Sequence, residues 1–227
     1  MKIMGLQRMT LLDFPGKIAC TLFLGGCNYR CPFCHNAHLA TGEGEEIMSL
    51  DEFFAFLDSR RGRLEGVCIS GGEPTIHSAL PELIREIKSR GFAVKLDTNG
   101  TNPEMLMSLI NDGLLDYVAM DIKNSPERYE DTVVINSHLL ESVRLSAKIL
   151  MEGRVDFEFR TTLMRELHDA EDMESIGRWL SGEEKYFLQT YRDEGDLLVG
   201  GFTPHTEEEK KNFVNILKRY IPNVKIR

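Results

Sequence analysis

Ile18-Ala19-Cys20-Thr21-Leu22-Phe23-Leu24-Gly25-Gly26-Cys27-Asn28-Tyr29-Arg30-Cys31-Pro32-Phe33-Cys34 joins a run of β-formers to a glycine pair and then to three closely spaced cysteines. The run predicts a strand over Ile18–Leu24, because β-branched and aromatic residues suit a pleated surface and glycines end it. The same layout recurs along the chain. Val67–Ser70 stops at Gly71-Gly72, Phe92–Leu96 at Asp97, and Tyr117–Met120 at Asp121. Val155–Leu163 and Tyr186–Tyr191 complete six predicted strands.

Helical punctuation fills the intervals. Leu80, Leu83, Ile84 and Ile87 share one helical face, with Pro81 in the first turn and Gly91 past the end. Asn102-Pro103 opens a helix that stops at Gly113, and Leu139–Leu150 and Ala170–Leu180 give two more. Thr206 and Glu209 form a capping-box pattern for a last helix over about 206–220. Strands alternating with helices imply parallel strands joined by right-handed crossovers. Six units fall short of a full eightfold barrel, so an incomplete barrel or a doubly wound open sheet fits, with chemistry at the C-terminal strand ends. Gly-Gly-Cys27, Gly-Gly-Glu73, Asp97-Thr98-Asn99-Gly100 and Asp121-Ile122-Lys123 all follow predicted strands. No linker divides the chain, which reads as one domain over residues 1–227.

With 42% hydrophobic and 28% charged residues in 227, the composition is that of a folded globular protein. The 36 acidic and 27 basic residues leave a net charge of −9, which disfavours extended contact with nucleic acid or an anionic membrane. No apolar stretch is long enough to span a bilayer, and Arg8, Asp13 and Lys17 interrupt any signal-peptide core. A cytoplasmic protein is expected. Five cysteines, an odd number, argue against a disulfide framework. Cys20 and Cys68 each lie in an apolar run and read as small buried hydrophobes.

Cys27, Cys31 and Cys34 admit four readings. Structural zinc wants four convergent donors, and the only neighbour, His35, is adjacent to Cys34. Cys31-Pro32-Phe33-Cys34-His35 also matches the haem c attachment pattern, and Cys31 with Cys34 a thioredoxin-like redox pair. Both leave Cys27 idle. An iron–sulfur cube held by three thiolates uses all of them and leaves one iron open to a reactant.

The C-x3-C-x2-C loop together with Gly71-Gly72-Glu73-Pro74 resembles the radical S-adenosylmethionine (SAM) superfamily. Leu12-Asp13-Phe14-Pro15-Gly16-Lys17, the Gly-Gly-Cys27 junction and Cys34-His35-Asn36 are similar to activating enzymes of glycyl-radical enzymes. Within these the resemblance is greatest to anaerobic ribonucleoside-triphosphate reductase activating proteins, over roughly residues 4–125. It implies an incomplete (β/α)6 barrel of TIM-like type, with a cluster loop over 25–36. It also implies a [4Fe–4S] cluster on Cys27, Cys31 and Cys34 whose open iron chelates SAM, and one-electron cleavage of SAM to a 5′-deoxyadenosyl radical. Phe33, Cys34, His35, Gly71, Gly72 and Glu73 match SAM-contacting positions, with Glu73 available to an ammonium. Asp97, Thr98, Asp121 and Lys123 match segments lining the SAM site, where the two aspartates and the threonine would help hold a monovalent cation. Arg160 and His168 are expected at the SAM carboxylate and nucleoside, and Gln189 is a weaker candidate.

The implied partners are a glycyl-radical enzyme as protein substrate and flavodoxin or ferredoxin as electron donor. A pyruvate formate-lyase-type activator and a radical SAM enzyme acting on a small molecule share these motifs. A non-enzymatic iron–sulfur electron carrier is the alternative of a different class, and it would need neither an open iron nor Gly-Gly-Glu.

Overall fold

The computed structural model describes residues 1–134, 139–182, 185–192 and 198–227. Eight strands form one sheet whose spatial order is the chain order. They are β1 (Ile3–Thr10), β2 (Ala19–Leu24), β3 (Gly66–Gly71), β4 (Ala93–Thr98), β5 (Tyr117–Asp121), β6 (Asp156–Leu163), β7 (Lys185–Thr190) and β8 (Asn223–Ile226). β1 pairs antiparallel with β2, and every later pair is parallel. The six predicted strands are β2–β7, the sixfold repeat of an incomplete barrel. Two strands that the sequence did not announce extend it, and β1 and β8 are its edges.

Helices α1 (Ala37–Thr41), α2 (Leu50–Ser59), α3 (Leu80–Ser89), α4 (Pro103–Asn111), α5 (Tyr129–Val133), α6 (Leu140–Met151), α7 (Ala170–Trp179) and α8 (Glu207–Leu217) fill the connections. Sequential parallel strands joined by right-handed crossovers put these helices on one face, where α4 packs on α6 and α7 on α8. In α3 the expected face of Leu80, Leu83, Ile84 and Ile87 is buried. The α8 cap forms as expected: Thr206 Oγ1 accepts the Glu209 N–H at 3.2 Å, and Glu209 Oε2 accepts the Thr206 N–H at 2.7 Å. None of the described helices is long and apolar enough to cross a membrane.

Strand ends differ from expectation in one consequential way. Gly71, Asp97, Thr98 and Asp121 are strand residues rather than loop residues. Asp97 pairs with Ala119, Thr98 with Met120 and Asp121 with Arg160. The parallel ladder carries pairing past the point where hydrophobicity ends, because backbone groups at a covered sheet end still need partners.

The barrel floor is plugged from the chain's own N-terminal motif. Asp13 accepts a 2.6 Å hydrogen bond from Thr21 Oγ1. Phe14 is buried against Tyr117, with ring centroids 6.3 Å apart. It sits where a Cβ on Gly66 would come within 2.9 Å of its ring. Beside it the Arg227 guanidinium grips buried Glu158 at 2.8 and 3.1 Å, and Tyr117 donates to the same carboxylate at 3.0 Å.

Candidate active site

At the opposite end, the C-terminal ends of β3–β6 and the 25–36 loop enclose a cavity of about 210 Å³. Glycine makes the junction possible. Gly71 has φ +116°, and a Cβ on Gly72 would stand 2.0 Å from the Gly26 carbonyl oxygen. That close approach lets Glu73 N–H donate to Gly26 O at 2.8 Å and Gly72 N–H to Leu24 O at 2.8 Å. The far side of the loop is tied to α1, where Gly26 and Cys27 N–H groups donate to Leu39 and Ala40 carbonyls at 2.7 and 3.0 Å. Arg30 fastens the loop to itself through its Nη1, which donates to the Cys27 and Tyr29 carbonyls at 2.7 and 2.8 Å.

Cys27, Cys31 and Cys34 all line the cavity, and none is in a disulfide. Burial pushes the Cys27 thiol up to about 11 and the Cys31 thiol up to about 12, so deprotonating them requires a cation at hand. Cys27 Sγ receives the Tyr29 N–H at 3.3 Å. Cys20 and Cys68, as expected, are wholly buried among the strands.

Glu73 is buried and highly bonded. Its Oε1 accepts from Thr75 N–H, Thr75 Oγ1 and Thr98 Oγ1 at 3.0, 2.5 and 2.7 Å, and its Oε2 from Asn99 N–H at 2.6 Å. Burial nevertheless raises its pKa, with these donors opposing the rise. The carboxylate therefore fastens the β3 and β4 ends together, while Oε2 keeps acceptor capacity.

A charged layer lies beside it. Arg160 on β6 donates from Nε to Asp121 at 2.9 Å and from Nη1 to Asp97 at 3.3 Å. Lys123 pairs with Asp121 at 2.9 Å, and buried Lys95 pairs with Asp97 from below. Burial alone would raise both aspartates, yet the neighbouring cations overcome it and hold Asp97 and Asp121 below the usual carboxylate range. Lys123 and Arg160 are correspondingly held charged despite burial.

The structure brings nearly all the predicted residues together: Phe33, His35, Gly71, Gly72, Glu73, Asp97, Thr98, Asp121, Lys123 and Arg160 line the same cavity as the cysteines. His35 stacks on Tyr191 with centroids 5.1 Å apart. His168 is not brought there. It is buried behind the Lys123 segment, where Nδ1 accepts the Met164 N–H at 3.2 Å and Nε2 donates to the Lys123 carbonyl at 2.9 Å. Burial lowers its pKa, so it is a neutral backbone brace. Gln189 also lies outside the lining and accepts from Thr162 Oγ1 at 3.4 Å.

Sequence reasoning assigned no role to Tyr29, Asn99, Ser70 or Thr162, which also line the cavity. Tyr29 lay inside the cysteine motif and Asn99 directly after Thr98, so position was a usable signal. The Tyr29 hydroxyl is buried next to the Tyr129 phenol, yet makes no well-formed hydrogen bond among the described residues. An orphaned donor beside three thiols marks a cavity shaped for an occupant with acceptors. Nor are any three His, Cys, Asp or Glu side chains, among the described residues, grouped so as to hold a single metal ion. Three thiols around a cavity, rather than closing on a point, fit a polynuclear iron–sulfur cluster.

The profile of the radical SAM superfamily matches residues 21–180. This chain belongs to the radical SAM superfamily. A Methanocaldococcus jannaschii protein bearing the name of a glycyl-radical enzyme activating enzyme is 34% identical, over 99% of this chain and 95% of its own. A Haemophilus influenzae protein of the same description is 26% identical over 90% of this chain and 81% of its own. Among solved structures, Streptococcus suis SuiB bound to S-adenosylmethionine superposes with a TM-score of 0.67 at 12% identity, covering 91% of this chain and 51% of that one. This chain thus spans about half the length of that protein, and at such identity the likeness concerns the fold. The molecule is a radical SAM enzyme, and membership implies a [4Fe–4S] cluster and SAM.

Proposed function

We propose that this enzyme reductively cleaves SAM at a [4Fe–4S] cluster held by Cys27, Cys31 and Cys34 and so installs a glycyl radical on a partner enzyme, anaerobic ribonucleoside-triphosphate reductase. The observation that carries the reading is the convergence of the three-cysteine loop with the β3–β6 strand ends on one cavity. The similarity over nearly all of both chains to a protein named for glycyl-radical enzyme activation supports a glycyl-radical enzyme as the substrate, and the resemblance of residues 4–125 to reductase activating proteins supports the reductase among them.

The cluster, when bound, supplies the electron that breaks the sulfonium bond of a SAM chelated at its open iron. The chain's own residues bind and orient. Glu73 Oε2, with one donor already on it, accepts from the SAM ammonium. Arg160 has its Nη2 without a protein partner among the described residues, so it can meet the SAM carboxylate while Nε and Nη1 stay on Asp121 and Asp97. Lys123 adds a second positive charge at the same wall. Phe33 is held edge-on by Phe202 at 6.3 Å and supplies an apolar face for the adenine. Asp97 and Asp121 already face cationic side chains, and a monovalent cation held there with Thr98 would take over part of that pairing. The open edges at β1 and β8 leave a side through which a partner's glycine loop reaches the cavity, and flavodoxin or ferredoxin supplies the electron.

The test is anaerobic incubation of reconstituted, reduced protein with SAM and the reductase. Production of 5′-deoxyadenosine together with a glycyl doublet in electron paramagnetic resonance is expected. No deoxyadenosine would overturn the enzyme reading of this site. Deoxyadenosine with a doublet only on pyruvate formate-lyase would overturn the choice of partner.

A further inference from the structure

The cysteine loop carries its own hydrogen-bond donors, and they are unevenly placed. Cys27 Sγ receives the Tyr29 backbone N–H at 3.3 Å, and the Asn99 side-chain amide approaches it at 4.0 Å. Asn99 is not loose: its Nδ2 donates to Asn28 Oδ1 at 2.9 Å, and its Oδ1 accepts from Thr101 N–H and Oγ1 at 3.0 and 2.7 Å. Asn28 returns to Thr101 Oγ1 at 2.8 Å, closing a ring that fixes the amide beside the sulfur. No such donor meets Cys31 or Cys34 among the described residues. A further donor is the Tyr29 hydroxyl, buried in the lining beside the Tyr129 phenol and near Cys31, with no well-formed hydrogen bond among the described residues. A buried phenol left unpaired costs free energy that a sulfur acceptor in the cavity would recover.

We propose that Tyr29 donates its phenolic hydrogen bond to a sulfur of the bound cluster and, with Asn99, acts as a positioning residue that sets the cluster's reduction potential. The inference rests on the proposed [4Fe–4S] occupancy. One-electron reduction adds a negative charge to the cluster, and a dipole aimed at its sulfurs stabilises the reduced state more than the oxidised one. Tyr29 therefore makes the cluster easier to reduce, at the expense of its driving force toward the sulfonium.

The experiment is a redox titration of anaerobically reconstituted holoprotein, wild type against Tyr29→Phe, followed by the reduced-cluster resonance with and without SAM. The expected result is at least a threefold fall in the ratio of reduced to oxidised cluster at a fixed potential, about 28 mV at about 59 mV per decade. The iron content and the SAM-induced change of the resonance should stay those of wild type while the potential shifts, a split that mere damage to the loop would not produce. An unchanged ratio overturns the proposal.

Wild-type protein carrying tyrosine deuterated at ring positions 3 and 5 supplies a second readout that needs no variant. Tyr29 is the one tyrosine in the cavity lining among the described residues, so a deuterium coupling to the reduced cluster is expected, and its absence overturns the proposal. Failure of the occupancy itself is told apart by the wild type, which would then show no cluster resonance, or none altered by SAM.

Discussion

Arg160 decides the charge of two strand ends at once. Its guanidinium sits between Asp97 and Asp121 with its side chain only 13% exposed, so each carboxylate is ion-paired away from bulk water. Arg160→Leu would leave two facing carboxylates without their shared partner. Removing one member of a buried ionic set typically costs roughly 3–5 kcal/mol, and that loss near neutral pH is expected in anaerobic urea denaturation. The pH dependence has a definite sign. Both aspartates are held below their ordinary range, so they stabilise the fold above about pH 4 and cease to do so as the pH drops through their depressed values. The variant should lose much of that acid sensitivity; an acid limb as steep as wild type would show that Arg160 is not its source.

The elements meet where β3 passes the cysteine loop, and glycine is required there for a reason of distance. Gly72→Ala would place a methyl 2.0 Å from the Gly26 carbonyl oxygen, which is backbone and cannot rotate away. The expected outcome is a displaced loop. Iron content and the visible absorbance of the reconstituted protein should fall severalfold while the far-ultraviolet circular dichroism stays that of the parent. At this scale the sequence was readable wherever a local rule applied. Alternating strands and helices, the Thr206–Glu209 cap and the buried face of α3 all follow from spacing and side-chain chemistry. β1 and β8 were not readable, because an edge strand is defined by its neighbour rather than by its own pattern. Ile3–Thr10 carries three consecutive exposed residues and two register shifts against β2. His168 shows the same limit: a histidine before a helix looks like a ligand until its two nitrogens are seen to be spent on backbone. The unassigned Tyr29 and Asn99 lie inside legible motifs, but only the fold shows that Tyr29 lines the cavity and that the Asn99 amide approaches Cys27 Sγ.

The whole sheet buries thiols that serve no cavity. Cys20 is pushed up to about 12 by burial, and Cys68 is raised for the same reason. A thiol whose folded pKa is raised stabilises the fold below its ordinary value of 9.0, and that contribution is lost as the pH climbs toward the folded value. Between about pH 9 and 10 each such thiol should add roughly 1 kcal/mol of destabilisation, and the slope approaches about 1.4 kcal/mol per pH unit only above that. Anaerobic chemical denaturation across that interval checks it: Cys20→Ala should reduce the slope by roughly half to nine-tenths of a proton's worth, and an unchanged slope would remove Cys20 as its origin.

The chain order of the sheet also governs what happens during synthesis. Residues 27–34 are fastened by partners that come much later, since Arg30 N–H donates to the Val133 carbonyl and Val199 N–H to the Pro32 carbonyl. At ribosomal speeds the intervening chain takes on the order of ten seconds to emerge. Through that interval the nascent polypeptide displays three thiols with no walls around them, open to scavenging by any soft metal in the cell. The walls that would surround iron and sulfide are therefore complete only once residue 199 has joined the loop.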